Sequence, residues 1–163
     1  MEVFRKPVMK ASKTRTNPLR GLEDRPGFLI RRAHQISQAL FVEECAGLNI
    51  TATQFGVLWV LGHGVQLDQI SIARLLGFDR STTAMVVKLL EDRKLVLRSP
   101  DPNDRRRYVL RLTKVGKELR LRALPPVDRV RTRLESVFTS AEAKTFSRLL
   151  DKFTRSHNDP RAR

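Results

Sequence analysis

Cysteine occurs once, at Cys45, in 163 residues, so no disulfide can form within the chain, and the composition suits a reducing compartment. Histidine is nearly as scarce. His34, His63 and His157 stand far apart, none with a second ligand at metal-binding spacing, so no metal site is expected. No run approaches the roughly 18 uninterrupted apolar residues of a membrane span. The basic residues of the first twenty positions have no apolar stretch behind them, unlike a secretory leader. A cytoplasmic protein without a membrane partner is the expectation. A Gly-rich phosphate loop, a nucleophile elbow and a recognisable carboxylate pair are also missing, so neither an enzyme nor a cofactor is expected. The few acids fall mostly at helix starts or beside arginine, where capping and pairing account for them.

The shortage of acid is the loudest feature. Seventeen Asp and Glu face 32 Lys and Arg, a formal net charge of +15. Such an excess repels itself in a folded chain and calls for an anionic partner. Nucleic acid suits it, because each neutralised phosphate releases condensed counterion, and the arginines cluster locally instead of spreading as solubility charge would. Apolar residues make up 40% of the chain, enough for one domain or for a small lobe with helical extensions.

Residues 1–23 read as a flexible basic arm. Lys6, Lys10, Lys13, Arg15 and Arg20 alternate with small and polar residues, fitting either a tail without a task or a phosphate-contacting arm. Pro26 fits the first turn of a helix, along which Leu29, Ala33, Ile36 and Leu40 recur at helical spacing with Phe28 and Phe41 beside them; Gly47 is expected to end it near Leu48. Thr51 and Gln54 have capping-box spacing. The helix they open is expected to turn Phe55, Leu58, Trp59 and Leu61 inward and to stop at His63-Gly64. Asp68 can cap the next helix and Gly77 permits a left-handed turn at its end. A fourth helix from Asp79 or Ser81 to about Arg93 directs Thr83, Val86, Val87 and Leu90 inward. Strands at Leu95–Ser99 and Arg107–Leu112 flank a turn-rich, charged segment.

Thr113 caps the following helix, whose apolar side carries Val115, Leu119, Val127, Val130, Leu134 and Val137. Pro125-Pro126 predicts a break or sharp kink within it. Thr139 and Glu142 form a second capping box, and the last helix is expected to bury Phe146, Leu149, Leu150 and Phe153.

Two short helices joined at Gly77 and followed by a two-stranded hairpin make a winged helix-turn-helix. A helix of this size fits the major groove, its first turn bearing short polar groups toward base edges while its other face docks on the domain. Arg80, Ser81 and Thr82 supply that turn, and Lys88 lies on the same side as a phosphate contact. Met85 either meets a thymine methyl or is an exposed gap-filler. At the hairpin tip, Asp104, Arg105, Arg106 and Arg107 place arginine where a narrow minor groove focuses negative potential. A pairing of Asp104 with Arg106 would hold the guanidinium and shape the loop.

From Pro26 to about His157 the chain resembles the MarR family of bacterial regulators. The wing carries the resemblance: Asp104-Arg105-Arg106 followed by Leu110-Arg111-Leu112-Thr113 matches the family's D-x-R…L-x-L-T signature. The preceding Leu90-Glu91-Asp92-Arg93-Lys94-Leu95-Val96 also fits, with Lys94 where many members have glycine. The resemblance implies a mainly α fold with a small β-wing, a winged helix-turn-helix carried on a helical dimerisation region, and a homodimer that reads a pseudo-palindromic operator in double-stranded DNA. The apolar stripes at both ends independently favour a partner over solvent. Domain boundaries follow: 24–50 and 113–157 for dimerisation, 51–112 for DNA, and a frayed tail at 158–163.

Pro26-Gly27-Phe28-Leu29-Ile30-Arg31-Arg32-Ala33-His34-Gln35 is similar to the start of the family branch that controls aromatic-acid breakdown, including repressors answering to aromatic acyl-CoA thioesters. It implies an aromatic acid or its CoA ester as the effector that releases DNA. Arg31 and Arg32 would then face CoA phosphates and His34 the cleft, unless these side chains only solvate a face. Peroxide-sensing members use a reactive cysteine near the start of the first helix. Cys45 lies near its end beside Glu43 and Glu44, which discourage thiolate, so a buried inert thiol is expected. Two alternatives stand beside the aromatic-responsive repressor: an architectural DNA binder without sequence preference, and a stress or efflux regulator with another phenolic effector.

Overall fold

A computed structural model describes residues 18–64, 66–101 and 107–158. The chain divides into two compact units, Met1–His34 and Gln35–Arg163, the boundary falling inside the first helix. In the first unit, residues 18–24 form turns: Leu22 N–H donates to the Leu19 carbonyl at 2.9 Å, and Arg25 Nε donates to the Gly21 carbonyl at 3.0 Å. Helix α1, Pro26–Glu44, then begins on proline, whose missing N–H is no loss at that position.

The second unit holds the rest of α1, a 3-10 turn at Ala46–Leu48, α2 (Ala52–Leu61), α3 (Gln69–Leu76), α4 (Arg80–Asp92), β1 (Val96–Pro100), β2 (Tyr108–Leu112), α5 (Lys114–Glu135) and α6 (Ser140–Asn158). The strands pair antiparallel with Arg98 opposite Leu110, and Leu67 adds a single bridge to Leu110 on the far edge of β2. α2 lies at the centre, packed on α3, α4, α5 and β2. Its Val57 and Leu58 are fully buried with Ile72 of α3, Val87 and Leu90 of α4 and Ala123 of α5.

Local signals account for the helix starts. Thr51 and Gln54 close a reciprocal capping box, Gln54 N–H donating to Thr51 Oγ1 at 3.2 Å and Thr51 N–H to Gln54 Oε1 at 3.1 Å. Asp68, Asp79 and Thr113 cap α3, α4 and α5. Thr139 and Glu142 form the second box, Thr139 N–H donating to Glu142 Oε2 at 2.8 Å. Gly77 ends α3 at φ 67°, as expected.

Lys94 also stands in the left-handed region, at φ 56°. Its N–H donates to the Glu91 carbonyl at 2.8 Å and Leu95 N–H to the Leu90 carbonyl at 2.9 Å, the bond pair of a Schellman ending. A lysine therefore performs the turn for which glycine is the usual choice.

Other expectations are corrected. α1 ends at Glu44, and the left-handed residue after the 3-10 turn is Asn49 at φ 50°, not Gly47. α2 stops at Leu61 with Gly62 as its cap, before His63-Gly64. Trp59 is 42% exposed, lying off the buried face that Val57 occupies instead. Pro125-Pro126 does not break α5, which runs from Lys114 to Glu135. The helix survives the two missing N–H groups because Ala123, Pro126 and Val130 are buried along one face. Its later half is also tied to the end of α1: Arg129 Nε donates to Glu44 at 2.7 Å, and Arg133 Nη1 to Glu43 and Glu44 at 2.7 and 3.0 Å. On the predicted α5 stripe Leu119 and Val130 are buried, whereas Val115 and Val137 are exposed. α6 has no buried residue: Phe146, whose ring lies 5.1 Å from that of Phe138, and Leu149, Leu150 and Phe153 are 40–51% exposed, because little among the described residues covers their face.

Candidate nucleic-acid interface

The second helix of the helix-turn-helix is held from beneath. Thr83, Val86, Val87 and Leu90 of α4 are buried, one side chain per turn or so along a single face. Thr83 Oγ1 spends its proton on the Asp79 carbonyl at 2.8 Å, which lets a hydroxyl sit in the core. The Asp79 carboxylate closes the N-terminus, accepting from Thr82 N–H and Thr82 Oγ1, both at 2.7 Å. The Thr82 backbone and hydroxyl hold this carboxyl below its ordinary range, so it stays charged.

What remains outward is the expected set. Arg80, Ser81, Met85 and Lys88 are exposed and Thr82 half-buried, on the side opposite the core. Thr82 has its hydroxyl oriented by Asp79, leaving its oxygen to accept. Lys88 forms an exposed i, i+4 ion pair with Asp92 at 3.2 Å, a contact of small net worth that a phosphate can displace. Met85 is 58% exposed next to Ala84, giving a short apolar step between polar residues.

The expected wing contacts divide. Asp104, Arg105 and Arg106 lie outside the described residues, and the Asp104–Arg106 pairing with them. Arg107 is described, and its guanidinium meets the carboxylate of Asp68, the cap of α3. Ser71 backbone and side-chain bonds, then Arg107, lower the Asp68 carboxyl from an ordinary 3.8 to about 2. On the neighbouring strand, Arg98 reaches Gln69 Oε1 at 3.3 Å and Glu91 Oε1 at 3.3 Å.

The residues expected to touch an effector lie in the first unit. Arg31, Arg32 and His34 are exposed, and the Arg31 guanidinium stands 5.0 Å from the Phe28 ring centre. In the second unit a different cation stands out. Arg120 of α5 lies over the Trp59 ring at 5.1 Å, and its buried Nε has no hydrogen-bond partner among the described residues. It lines a cleft of about 320 Å³ with Leu61, Gly62, Gly64, Leu112, Lys117 and Leu121. Any side chain at Gly62 would overlap the Arg120 guanidinium. Sequence reasoning passed over this arginine, although a signal exists: Arg120 falls four residues after Gly116 and three before Ala123, both buried on α5. A cation inside an apolar stripe is unusual enough to mark a site.

Cys45 is 2% exposed, and burial followed by the nearby Glu44 charge pushes its thiol up, as an inert cysteine requires. Among the described residues no group of histidine, cysteine or carboxylate is placed to hold a metal, and no helix is long and apolar enough to cross a membrane.

Comparison with known proteins identifies the architecture. Residues 48–107 match the model of the MarR family, a stretch covering α2, α3, α4 and β1. The transcriptional repressor NicR of Pseudomonas putida is 34% identical over 103 residues, which make up 63% of this chain and 65% of NicR; the chain thus spans less than two thirds of that relative. Among solved structures, BpsR of Bordetella bronchiseptica, studied for its regulation by 6-hydroxynicotinic acid, superposes with a TM-score of 0.77 at 29% identity, covering 81% of this chain and 94% of BpsR. The repressor CouR of Rhodococcus jostii RHA1, bound to a 23-mer DNA duplex, gives a TM-score of 0.77 at 28% identity over 83% of this chain and 96% of CouR. A capped helix pair joined at a left-handed glycine, a two-stranded wing behind it and these likenesses together establish that the chain belongs to the MarR family of winged-helix transcription regulators.

Proposed function

We propose that the chain is a homodimeric repressor that grips a pseudo-palindromic operator with two copies of α4 and the wing, and lets go when an aromatic acid binds. The observation that carries the DNA reading is the division of α4 into a buried apolar face and an outward face of Arg80, Ser81, Thr82, Met85 and Lys88. Arg80, Ser81 and Thr82 approach base edges and Lys88 a phosphate, while Asp104, Arg105 and Arg106 shape and arm the wing tip. CouR, of like fold, was solved on a DNA duplex. Segments 24–50 and 113–157 supply the dimer contacts and 51–112 the DNA-reading lobe, acting on nucleoid DNA in the cytoplasm. The uncovered face of α6 supports the dimer: four large apolar side chains at i, i+3, i+4 and i+7 favour a second copy over water.

Selection of duplexes from a random library, followed by affinity measurement at fixed salt, tests this reading. A regulator holds its selected site about a thousandfold tighter than random DNA, and Arg106→Ala weakens that site by about tenfold or more. Equal affinity for all sequences would instead fit the architectural reading that the +15 charge favours.

For the effector, BpsR and CouR were studied with 6-hydroxynicotinic acid and p-coumaroyl-CoA. In this chain the Arg120 cleft supports a free acid over its CoA ester. Lys117 and Arg120 offer two cations beside Leu61, Leu112 and Leu121, in about 320 Å³ that suits one substituted ring and not a nucleotide tail. A carboxylate there would meet the Lys117 ammonium and the guanidinium of Arg120. Arg31, Arg32 and His34 remain separate candidates for effector contact. Titration with hydroxylated benzoic, nicotinic and cinnamic acids, each against its CoA ester, checks the class. Loss of release in Arg120→Gln, with DNA affinity kept, is expected; release preserved in that variant would move the effector elsewhere.

A further inference from the structure

We infer that residues 67–69 form a clasp that fastens both strands of the wing to the start of α3, and that Arg107 is a positioning residue of this clasp and not a DNA contact. Each consecutive residue takes hold of a different part of the wing. The Leu67 carbonyl accepts from Leu110 N–H at 2.8 Å, extending the hairpin by one bridge. Asp68 receives the Arg107 guanidinium just before β2. Gln69 Oε1 accepts from Arg98 Nη2 of β1 at 3.3 Å, while Arg98 Nε also meets Glu91 of α4 at 3.3 Å. In the ladder Arg98 faces Leu110, and Arg107 lies one step beyond the last pair; its carbonyl accepts from Asp101 N–H at 2.9 Å. The clasp therefore grips the base of the hairpin, where the strands leave the body of the lobe.

The physical consequence concerns alignment. Asp68 is at once the cap of α3, its Oδ1 accepting from Ser71 N–H at 2.7 Å, and the anchor of the wing. The carboxylate that fixes where α3 begins also fixes where β2 begins. α3 in turn sets α4 through the Gly77 turn, so the recognition helix and the wing move as one body. An arginine already facing a carboxylate would have to break that pair to meet a phosphate, whereas Arg80 on α4 has no such acid within reach among the described residues. This reading rests on the DNA-binding function proposed above.

Two substitutions separate positioning from contact. Asp68→Asn keeps a good helix cap, since asparagine caps as well as aspartate, but gives up the charge facing Arg107. Arg107→Gln removes the other half. The probe is a duplex of about 30 base pairs, selected by the unmodified protein from a random library so as to span two half-sites a helical turn apart. If the clasp positions the wing, each variant weakens binding by about fivefold to tenfold. The double variant is then no worse than either single, Arg107→Lys recovers part of the loss, and the slope of log affinity against log salt stays unchanged. Exchange of the Leu110 amide, followed by mass spectrometry without DNA, accelerates in both single variants. If Arg107 touches phosphate, Arg107→Gln lowers the salt slope, and Asp68→Asn binds as well as or better than the parent; that result overturns the proposal. Unaltered affinity in both variants overturns it too. Failure of the parent to enrich any duplex removes the DNA-binding reading, and the clasp's role with it, while the exchange measurement still reports whether the fastening exists.

Discussion

Three single residues show how a side chain answers to its backbone or its neighbour. Lys94 occupies a left-handed position at φ 56° that costs a non-glycine residue about 1 kcal/mol. Lys94→Gly keeps both closing bonds of the turn and loses that strain, against a smaller entropic cost in the unfolded chain. A net stabilisation of about 0.5 kcal/mol is expected by urea denaturation; destabilisation would mean that the lysine side chain makes a contact worth more than the strain. Asp68 gives the pH dependence. Its carboxyl lies at about 2 in the folded chain against an ordinary 3.8. A depressed acid contributes stability above its unfolded value, and the contribution is lost as pH falls through the folded one. The difference in unfolding free energy between the parent and Asp68→Asn is therefore expected to be constant from about pH 5 to pH 7 and to shrink between about pH 4 and pH 2. For Cys45, burial and Glu44 both oppose the thiolate. Alkylation of the native protein by iodoacetamide is expected to be far slower than that of the urea-unfolded chain, and peroxide to leave DNA binding intact.

At the scale of elements, α5 is the instructive helix. Pro125 is exposed and Pro126 buried, yet the helix passes through both. A proline inside a helix costs about 3 kcal/mol by losing a bond and crowding the carbonyl four residues back. Pro125→Ala restores a donor toward Leu121 without touching the core, and a gain of about 1–2 kcal/mol in denaturant unfolding is expected. An unchanged midpoint would show that water already satisfies that carbonyl. α6 is the converse case. Its capping box forms as its residue types dictate, but its apolar face stays uncovered. Leu149→Glu is expected to leave the far-ultraviolet spectrum of the chain helical while shifting the protein to a monomer in sedimentation, because a charge in a dimer seam is far more costly than one in water.

For the whole molecule, charge and symmetry combine. A net charge of +15 per chain predicts binding that weakens steeply with salt. Lys88, paired with an exposed Asp92, serves as a gauge. If each protomer of the proposed dimer places it on a phosphate, Lys88→Ala lowers the salt slope by about 2 per dimer. The same substitution made in Arg107 is expected to leave the slope where it was, which separates the groups that touch DNA from those that hold the reader in shape.

The sequence alone determined what depends on near neighbours. Caps at Thr51, Asp68, Asp79, Thr113 and Thr139, the left-handed Gly77 and the buried face of α4 are all settled within a turn or two of chain, where side-chain spacing and backbone bonds leave little choice. The outward face of α4 was legible for the same reason, as the complement of a helical stripe. Only the tertiary structure decided matters that join distant segments: that Trp59 turns toward Arg120, that Arg107 is taken by Asp68, that buried contacts and the Arg129 and Arg133 ion pairs carry α5 through two prolines, and that the apolar side of α6 stays about half exposed. Pairing between residues tens of positions apart is set by how whole elements pack, and helical periodicity, which registers only which side of an element is apolar, does not say what that side will meet.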